Sequence, residues 1–357
     1  MDAFTTSTDI ASLTEPLGKT PLSATPNAMP VMTDGDLVAL DFSQSPTASS
    51  CRTDDANFAA VTRRDARSIQ TETTTAHSAS SRTNTRALVV SCPHAGRLYP
   101  AEFVTDSALE LAALRDLEDY AVDWLIEGMM AHNITAITNH VGRAFLDVNR
   151  PADALDKIMF ADNVDAATPS RQVKAGYGLL PRLNAARLPI HNMPLSGDEA
   201  QRRLEMVHAP YHRMLAETLE TALAHHGHYL LLDIHSMPET DRLGRPLADF
   251  VLGDCLGTTI DSELGTKISN FIADSGFSVA WNKPYAGGHI TREYGRINSP
   301  RQSVQIEINR ALYMKMTPMI ANPALNEITL KAEGAARVAT MLGALGAMLA
   351  DMLDNHS

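Results

Sequence analysis

From residue 87 onward, short apolar runs alternate with longer segments of helical spacing. The runs fall at residues 88–92, 134–138, 229–234, 249–253, 277–281 and 302–310. Apolar runs of this length, rich in Val, Ile and Leu, predict strands buried on both faces of a parallel sheet. Between the first two lies the stripe Leu109, Leu114, Leu117, Val122, Leu125, Ile126 and Met129, which predicts a helix over 107–132. Further helices are expected over 199–226, 262–274 and, opening just after Pro323, over 324–353. Residues 151–197 carry several prolines and Gly176-Tyr177-Gly178 and show no period. A connection that long is usually functional or mobile. The alternation predicts an α/β domain over 85–357, a mostly parallel mixed sheet flanked by helices.

Residues 1–84 differ. Stretches such as Thr71-Glu72-Thr73-Thr74-Thr75-Ala76-His77-Ser78 hold too little apolar surface to offset the entropy of ordering. A low-complexity, disordered leader is expected, broken only by a short strand or docking element at 37–42. Such a leader also fits an over-long start of the reading frame.

Composition narrows the function. Hydrophobic residues at 44% supply a sizeable core, and a net charge of -12 with pI near 5.5 argues against nucleic acid or an anionic membrane as partner. A local arginine cluster can still bind a small anion. Cys51, Cys92 and Cys255 form no CxxC pair, which argues against a disulfide scaffold and fits a reducing compartment. The N-terminus has no basic-then-apolar secretory pattern, and no run of about 18 apolar residues is seen. A cytoplasmic protein is expected.

Two of the apolar runs end in histidine: Ser91-Cys92-Pro93-His94-Ala95-Gly96 and Asp233-Ile234-His235-Ser236-Met237-Pro238. Open α/β sheets bind ligands beyond the carboxyl ends of their strands. Each histidine alone could be a buried, hydrogen-bonded side chain. Two at equivalent strand ends point to imidazoles sharing one metal ion, with Asp233 orienting the loop or the ligand. A catalytic zinc needs a third protein ligand, and the Glu118-Asp119 pair is the nearest acidic candidate, against a solvated helix face. Glu307 lies in the β-branched run Val304-Gln305-Ile306-Glu307-Ile308, where a carboxylate is costly unless paired or used. It is either a general base or the partner of an arginine such as Arg310. Arg143, Asn149 and Arg150 form a candidate anion pocket, with Asp147 either holding Arg143 or touching the ligand. The Gly287-Gly288 loop allows close backbone approach to a ligand, or closure. His208, His212, His225, His226 and His228 are expected mostly on the surface of the long helix or in its C-terminal turn. Ser236 lacks a Gly-x-Ser-x-Gly elbow, and Gly176-Tyr177-Gly178 is no dinucleotide fingerprint.

Taken in order, the His94 and His235 motifs, Glu118-Asp119, Arg143 through Asp147-Val148-Asn149-Arg150, Pro284-Tyr285-Ala286-Gly287-Gly288 and Gln305-Ile306-Glu307-Ile308-Asn309-Arg310 resemble the N-formylglutamate amidohydrolase family over roughly 87–350. The resemblance implies a zinc-carboxypeptidase-like fold and hydrolysis of an N-acyl amino acid amide, by default N-formyl-L-glutamate. It implies one zinc ion on His94, Asp119 and His235, with Glu118 as the alternative ligand and Glu307 as the base. Arg143, Asn149 and Arg150 would hold the substrate carboxylate, and Arg143 could also stabilise an oxyanion. Arg97 stands where zinc carboxypeptidases carry the glutamate of His-x-x-Glu. The competing expectations are a deacylase or peptidase for larger N-acyl or peptide substrates, and an inert metal-binding sensor on the same fold.

Overall fold

A computed structural model describes residues 61–64, 86–318 and 326–355. Its main sheet contains seven strands: β1 (Val61–Arg64), β2 (Leu88–Cys92), β3 (Thr135–Asn139), β4 (Tyr229–Met237), β5 (Phe250–Gly253), β6 (Val279–Trp281) and β7 (Arg301–Asn309), in the order β1-β3-β2-β4-β7-β5-β6. The central strands β3, β2, β4 and β7 run parallel, while β5 is antiparallel to β7 and β1 to β3. This is the mixed, mostly parallel α/β sheet that the alternation predicts.

Period-two side-chain alternation assigns each strand residue to a face. One face carries Leu88, Val90, Cys92, Leu230, Leu232, Ile234, Val304, Ile306 and Ile308, all buried against Val338, Leu342, Leu345 and Leu349 of the Ala332–Asp354 helix. That helix is long and apolar enough to cross a membrane by length and composition, yet its apolar side covers the sheet. On the other face Val89, Ile137, Tyr229 and Leu231 pack with Tyr211, Leu215 and Leu219 of the Ala209–His226 helix. Toward the carboxyl ends this second face changes character. Its residues there are Ser91 on β2, Asp233 and His235 on β4, and Gln305 and Glu307 on β7, all buried. The candidate site lies where the core runs out of apolar side chains.

Several expectations are corrected. The stripe over 107–132 is not one helix but short pieces, Leu111–Leu114, Arg115–Leu117, Val122–Leu125 and Glu127–Met130. The break falls at Glu118, which is extended, and at Ala121, whose φ is 60°. There the Asp119 amide donates to the His94 carbonyl (2.9 Å), an interaction that a continuous helix would forbid. The C-terminal helix starts at Ala332 rather than 324, because β9 (Asn326–Leu330) pairs antiparallel with β8 (Met314–Pro318). β1 lies inside the leader expected to be disordered, and the strand expected at 37–42 lies outside the described residues.

Residues 151–197 have almost no regular structure, as expected, but they are tied down. Asp147 donates its amide to Leu179, Leu179 to Ala154, and Leu155, Val173, Leu180 and Ile190 are buried in the second-face core. His208 and His212 correct the surface expectation as well. His208 is buried and bonds the Arg150 carbonyl, and His212 bonds the Val148 carbonyl and the Tyr294 hydroxyl. Their rings tie the long helix to the 148–150 segment.

The turn after β2 depends on close backbone contact. A Cβ on Gly96 would sit 2.3 Å from the Val141 carbonyl oxygen, which is backbone and has little freedom to retreat. Gly96→Ala is therefore expected to destabilise the fold by about 1–3 kcal/mol. Thermal unfolding tests this, and an unchanged midpoint would show that the turn has room.

Candidate metal and active site

Three distant segments supply the centre of the site. His94 leaves the end of β2 in a turn whose Pro93 carbonyl accepts from Asn139 Nδ2 (2.9 Å). Asp119 comes from the broken helix stretch, and His235 projects from β4 itself. All three are buried, and one possible ligand atom from each lies within 4.8 Å of the others. Asp119 Oδ2 is 3.0 Å from His235 Nδ1 and 3.4 Å from His94 Nδ1. His94 Nδ1 is buried without a hydrogen-bond partner. An orphaned buried nitrogen is costly, and native proteins rarely leave one without a reason. Two imidazoles and a carboxylate, converging on one point, are a donor set suited to a divalent cation such as zinc.

The far sides of the two imidazoles are also held. Asp147 Oδ1 lies 2.7 Å from His94 Nε2, and Asp233 Oδ2 lies 3.2 Å from His235 Nε2. Each carboxylate thereby directs Nδ1 of its histidine inward, the outer arrangement that orients metal-ligating imidazoles. Asp233 is fixed by Ser91 Oγ (2.8 Å) and Thr291 Oγ1 (3.2 Å). Asp119 Oδ1 accepts from Arg310 Nη2 (3.1 Å) and Ser236 Oγ (3.3 Å), leaving Oδ2 for the histidines.

The electrostatics match this arrangement. Burial alone would push the Asp119 carboxyl up, but the hydrogen bond to His235 and the adjacent His94 imidazole hold it well below the usual range. Asp147 is likewise lowered against burial by Arg143, Arg150 and His94. Burial opposes charge on His235, yet Asp233 and Asp119 more than reverse this and raise its pKa. Asp119 is thus held as a carboxylate between the two imidazoles, with Oδ2 turned to both.

Glu307 stands opposite His235 in the β4–β7 register and is 5% exposed. Gln305 Nε2 donates to its Oε1 at 2.7 Å. Burial, assisted by the Asp119 charge, raises its pKa to about 7 against the pull of His235, Arg143 and Arg310. A carboxyl poised near neutrality can both take and return a proton.

The other expected residues divide. Arg143 bonds Asp147 Oδ2 through Nε (2.9 Å) and Nη2 (2.9 Å), so Asp147 holds the arginine and His94 together. Asn149 Oδ1 accepts from the Ile290 amide, and its Nδ2 lies 3.2 Å from His235 Nε2. Arg150 donates to the carbonyls of Tyr177 (2.9 Å) and Asn149 (2.8 Å). Both side chains, expected on the ligand, are used within the protein. Glu118 points away, bonded by Tyr99 (2.9 Å) and Arg115 (3.1 Å), and is not in the metal group. Arg97, in the position of the missing glutamate, pairs with Asp123 (2.7 Å) and covers Trp124. The residue the sequence reading missed is Arg310, expected only as a partner for Glu307. Its signal was its place, three residues after Glu307 at the end of the strand.

With this geometry in place, comparison with known proteins is specific. Residues 86–314 match the N-formylglutamate amidohydrolase family model. The chain is 33% identical over 252 residues to the N-formylglutamate deformylase of Pseudomonas aeruginosa, covering 68% of this chain and 88% of that one. It is 30% identical over 235 residues to the N-formylglutamate deformylase of Pseudomonas putida, covering 64% and 82%. The crystal structure of the N-formylglutamate amidohydrolase from Ralstonia eutropha JMP134 superimposes with a TM-score of 0.68 at 32% identity, over 76% of this chain and 96% of that one. Sequence and fold agree, and the chain belongs to the N-formylglutamate amidohydrolase family.

Proposed function

We propose that this protein is a zinc-dependent hydrolase that cleaves N-formyl-L-glutamate to formate and L-glutamate. The observation that carries the reading is the buried, unpartnered Nδ1 of His94, facing Asp119 beside the Nδ1 of His235 and one strand from Glu307. The Pseudomonas relatives are named as deformylases of this substrate, and the shared family supports carrying it over. The convergence of ligands at the ends of parallel strands also supports a zinc-carboxypeptidase-like kinship.

His94, Asp119 and His235 would hold a single zinc ion, which would supply a Lewis acid for the formyl oxygen and would make nearby water more acidic. Glu307 accepts a proton from the attacking water at its buried carboxylate as the oxygen adds to the formyl carbon. It then delivers that proton to the departing amino nitrogen as the C–N bond breaks, so formate and a free amine leave. Arg143 keeps Nη1 outside its Asp147 pair and takes the α-carboxylate of the substrate, or the developing oxyanion. Asn149 and Arg150 act at one remove, by fixing His235 and the 148–150 turn.

Purified protein should hydrolyse N-formyl-L-glutamate, lose the activity to a chelator and regain it with zinc. Zinc-loaded protein without turnover would keep the metal site and reject this substrate. Activity indifferent to chelation would reject the metal. Glu307→Gln should bind zinc normally while kcat falls by about 100-fold or more, and near-normal kcat would remove Glu307 from the proton transfers. Asp147→Asn should weaken zinc binding by about 10- to 100-fold. Unchanged affinity in a titration would show that Asp147 serves Arg143 alone.

A further inference from the structure

N-formyl-L-glutamate carries two carboxylates, and the reading above gives a partner to only one. The arginines around the metal group are not equally available for the other. Arg150 directs Nε and Nη1 to backbone carbonyls, with Nη2 3.6 Å from Asp147. Arg97 is bound to Asp123 and Trp124. Arg143 uses Nε and Nη2 on a single Asp147 oxygen. Arg310 uses Nε on Ser236 Oγ (3.0 Å) and Nη2 on the Glu118 carbonyl (2.6 Å) and Asp119 Oδ1 (3.1 Å). Among the described residues, Nη1 of Arg143 and Nη1 of Arg310 have no hydrogen-bond partner, and neither is among the polar atoms sealed from solvent. The two side chains keep 22% and 15% of their surface exposed.

These two guanidiniums approach the metal group from different sides. Arg143 reaches it through Asp147 and His94, and Arg310 through Asp119. Both therefore lie within one carboxylate of the His94-Asp119-His235 group. Each is fixed at two nitrogens and open at the third. A guanidinium already oriented by the protein loses less entropy on meeting a carboxylate.

Building on the proposed deformylase reading, we infer that Arg310 is a specificity residue whose Nη1 takes the side-chain carboxylate of the substrate while Arg143 takes the α-carboxylate. Arg310 thereby does two jobs. Its Nε and Nη2 edge steadies Asp119, and its Nη1 selects a glutamate-type N-formyl amino acid over a neutral one.

The two jobs separate in a ratio. kcat/KM is measured for N-formyl-L-glutamate and N-formyl-L-glutamine with wild type, Arg310→Lys and Arg310→Met, alongside zinc affinity. Any damage to Asp119 or the metal affects both substrates and cancels in the ratio. Wild type should prefer the glutamate substrate by about 10- to 100-fold, the range of one charge-assisted hydrogen bond. Arg310→Met should bring that preference to within about threefold, and Arg310→Lys should leave an intermediate value. Should the Met variant not fold, the drop in the Lys variant carries the test. Equal losses on both substrates with weaker zinc binding would reduce Arg310 to a positioning residue for Asp119 and overturn the inference. A preference that changes only against the α-amide of N-formylglutamate would exchange the two anchors and overturn it too. Wild type that uses both substrates equally would overturn the anchor while leaving amide hydrolysis intact. Wild type that uses neither would overturn the functional reading itself, and the anchor with it.

Discussion

Asp119 Oδ2 faces the Nδ1 atoms of two buried histidines, and much of the surrounding structure serves that convergence. The three side chains come from a turn after β2, an interrupted helix and the interior of β4, more than 100 residues apart at the extremes. A carboxylate and two imidazoles in an apolar interior are costly unless each atom is paired. The pairing is nearly complete. Asp147 and Asp233 hold the outer nitrogens, Arg310 and Ser236 hold the outer oxygen of Asp119, and His94 Nδ1 alone is left without a partner. The exception is where a cation would sit.

The sheet makes this possible at modest cost. Its central strands bury one face mostly in aliphatic side chains, and the other face carries Asp233, His235, Gln305 and Glu307 near the carboxyl ends. Parallel pairing of β4 with β7 sets His235 directly opposite Glu307. A one-residue shift of β7 against β4 would turn Glu307 to the apolar side, away from His235. The sheet thus fixes the spacing between His235 and Glu307, while a turn and the broken helix stretch bring in His94 and Asp119.

Much of this was legible in the chain, for physical reasons. Runs such as Tyr229-Leu230-Leu231-Leu232 identify buried strands, and a histidine at the end of such a run is conspicuous. What could not be read locally was set by partners far along the chain. The stripe from Leu109 to Met129 has helical spacing, but the bond between the Asp119 amide and the His94 carbonyl breaks it. Asn149 and Arg150 look like ligand donors in sequence, yet Ile290, His235 and Tyr177 claim them in the fold. Arg310 looked like a partner for Glu307, and its side chain goes to Asp119 instead. β9, which pairs antiparallel with β8, falls in the stretch whose sequence reads as the start of a strongly apolar helix.

The most direct test of the shared-ion account is anomalous diffraction from zinc-loaded crystals of the protein, recorded on both sides of the zinc edge. The account predicts one strong peak bonded to Nδ1 of His94, Nδ1 of His235 and a carboxylate oxygen of Asp119, at about 2.0–2.2 Å from each. A peak elsewhere, or none between these residues in zinc-loaded protein, would contradict it.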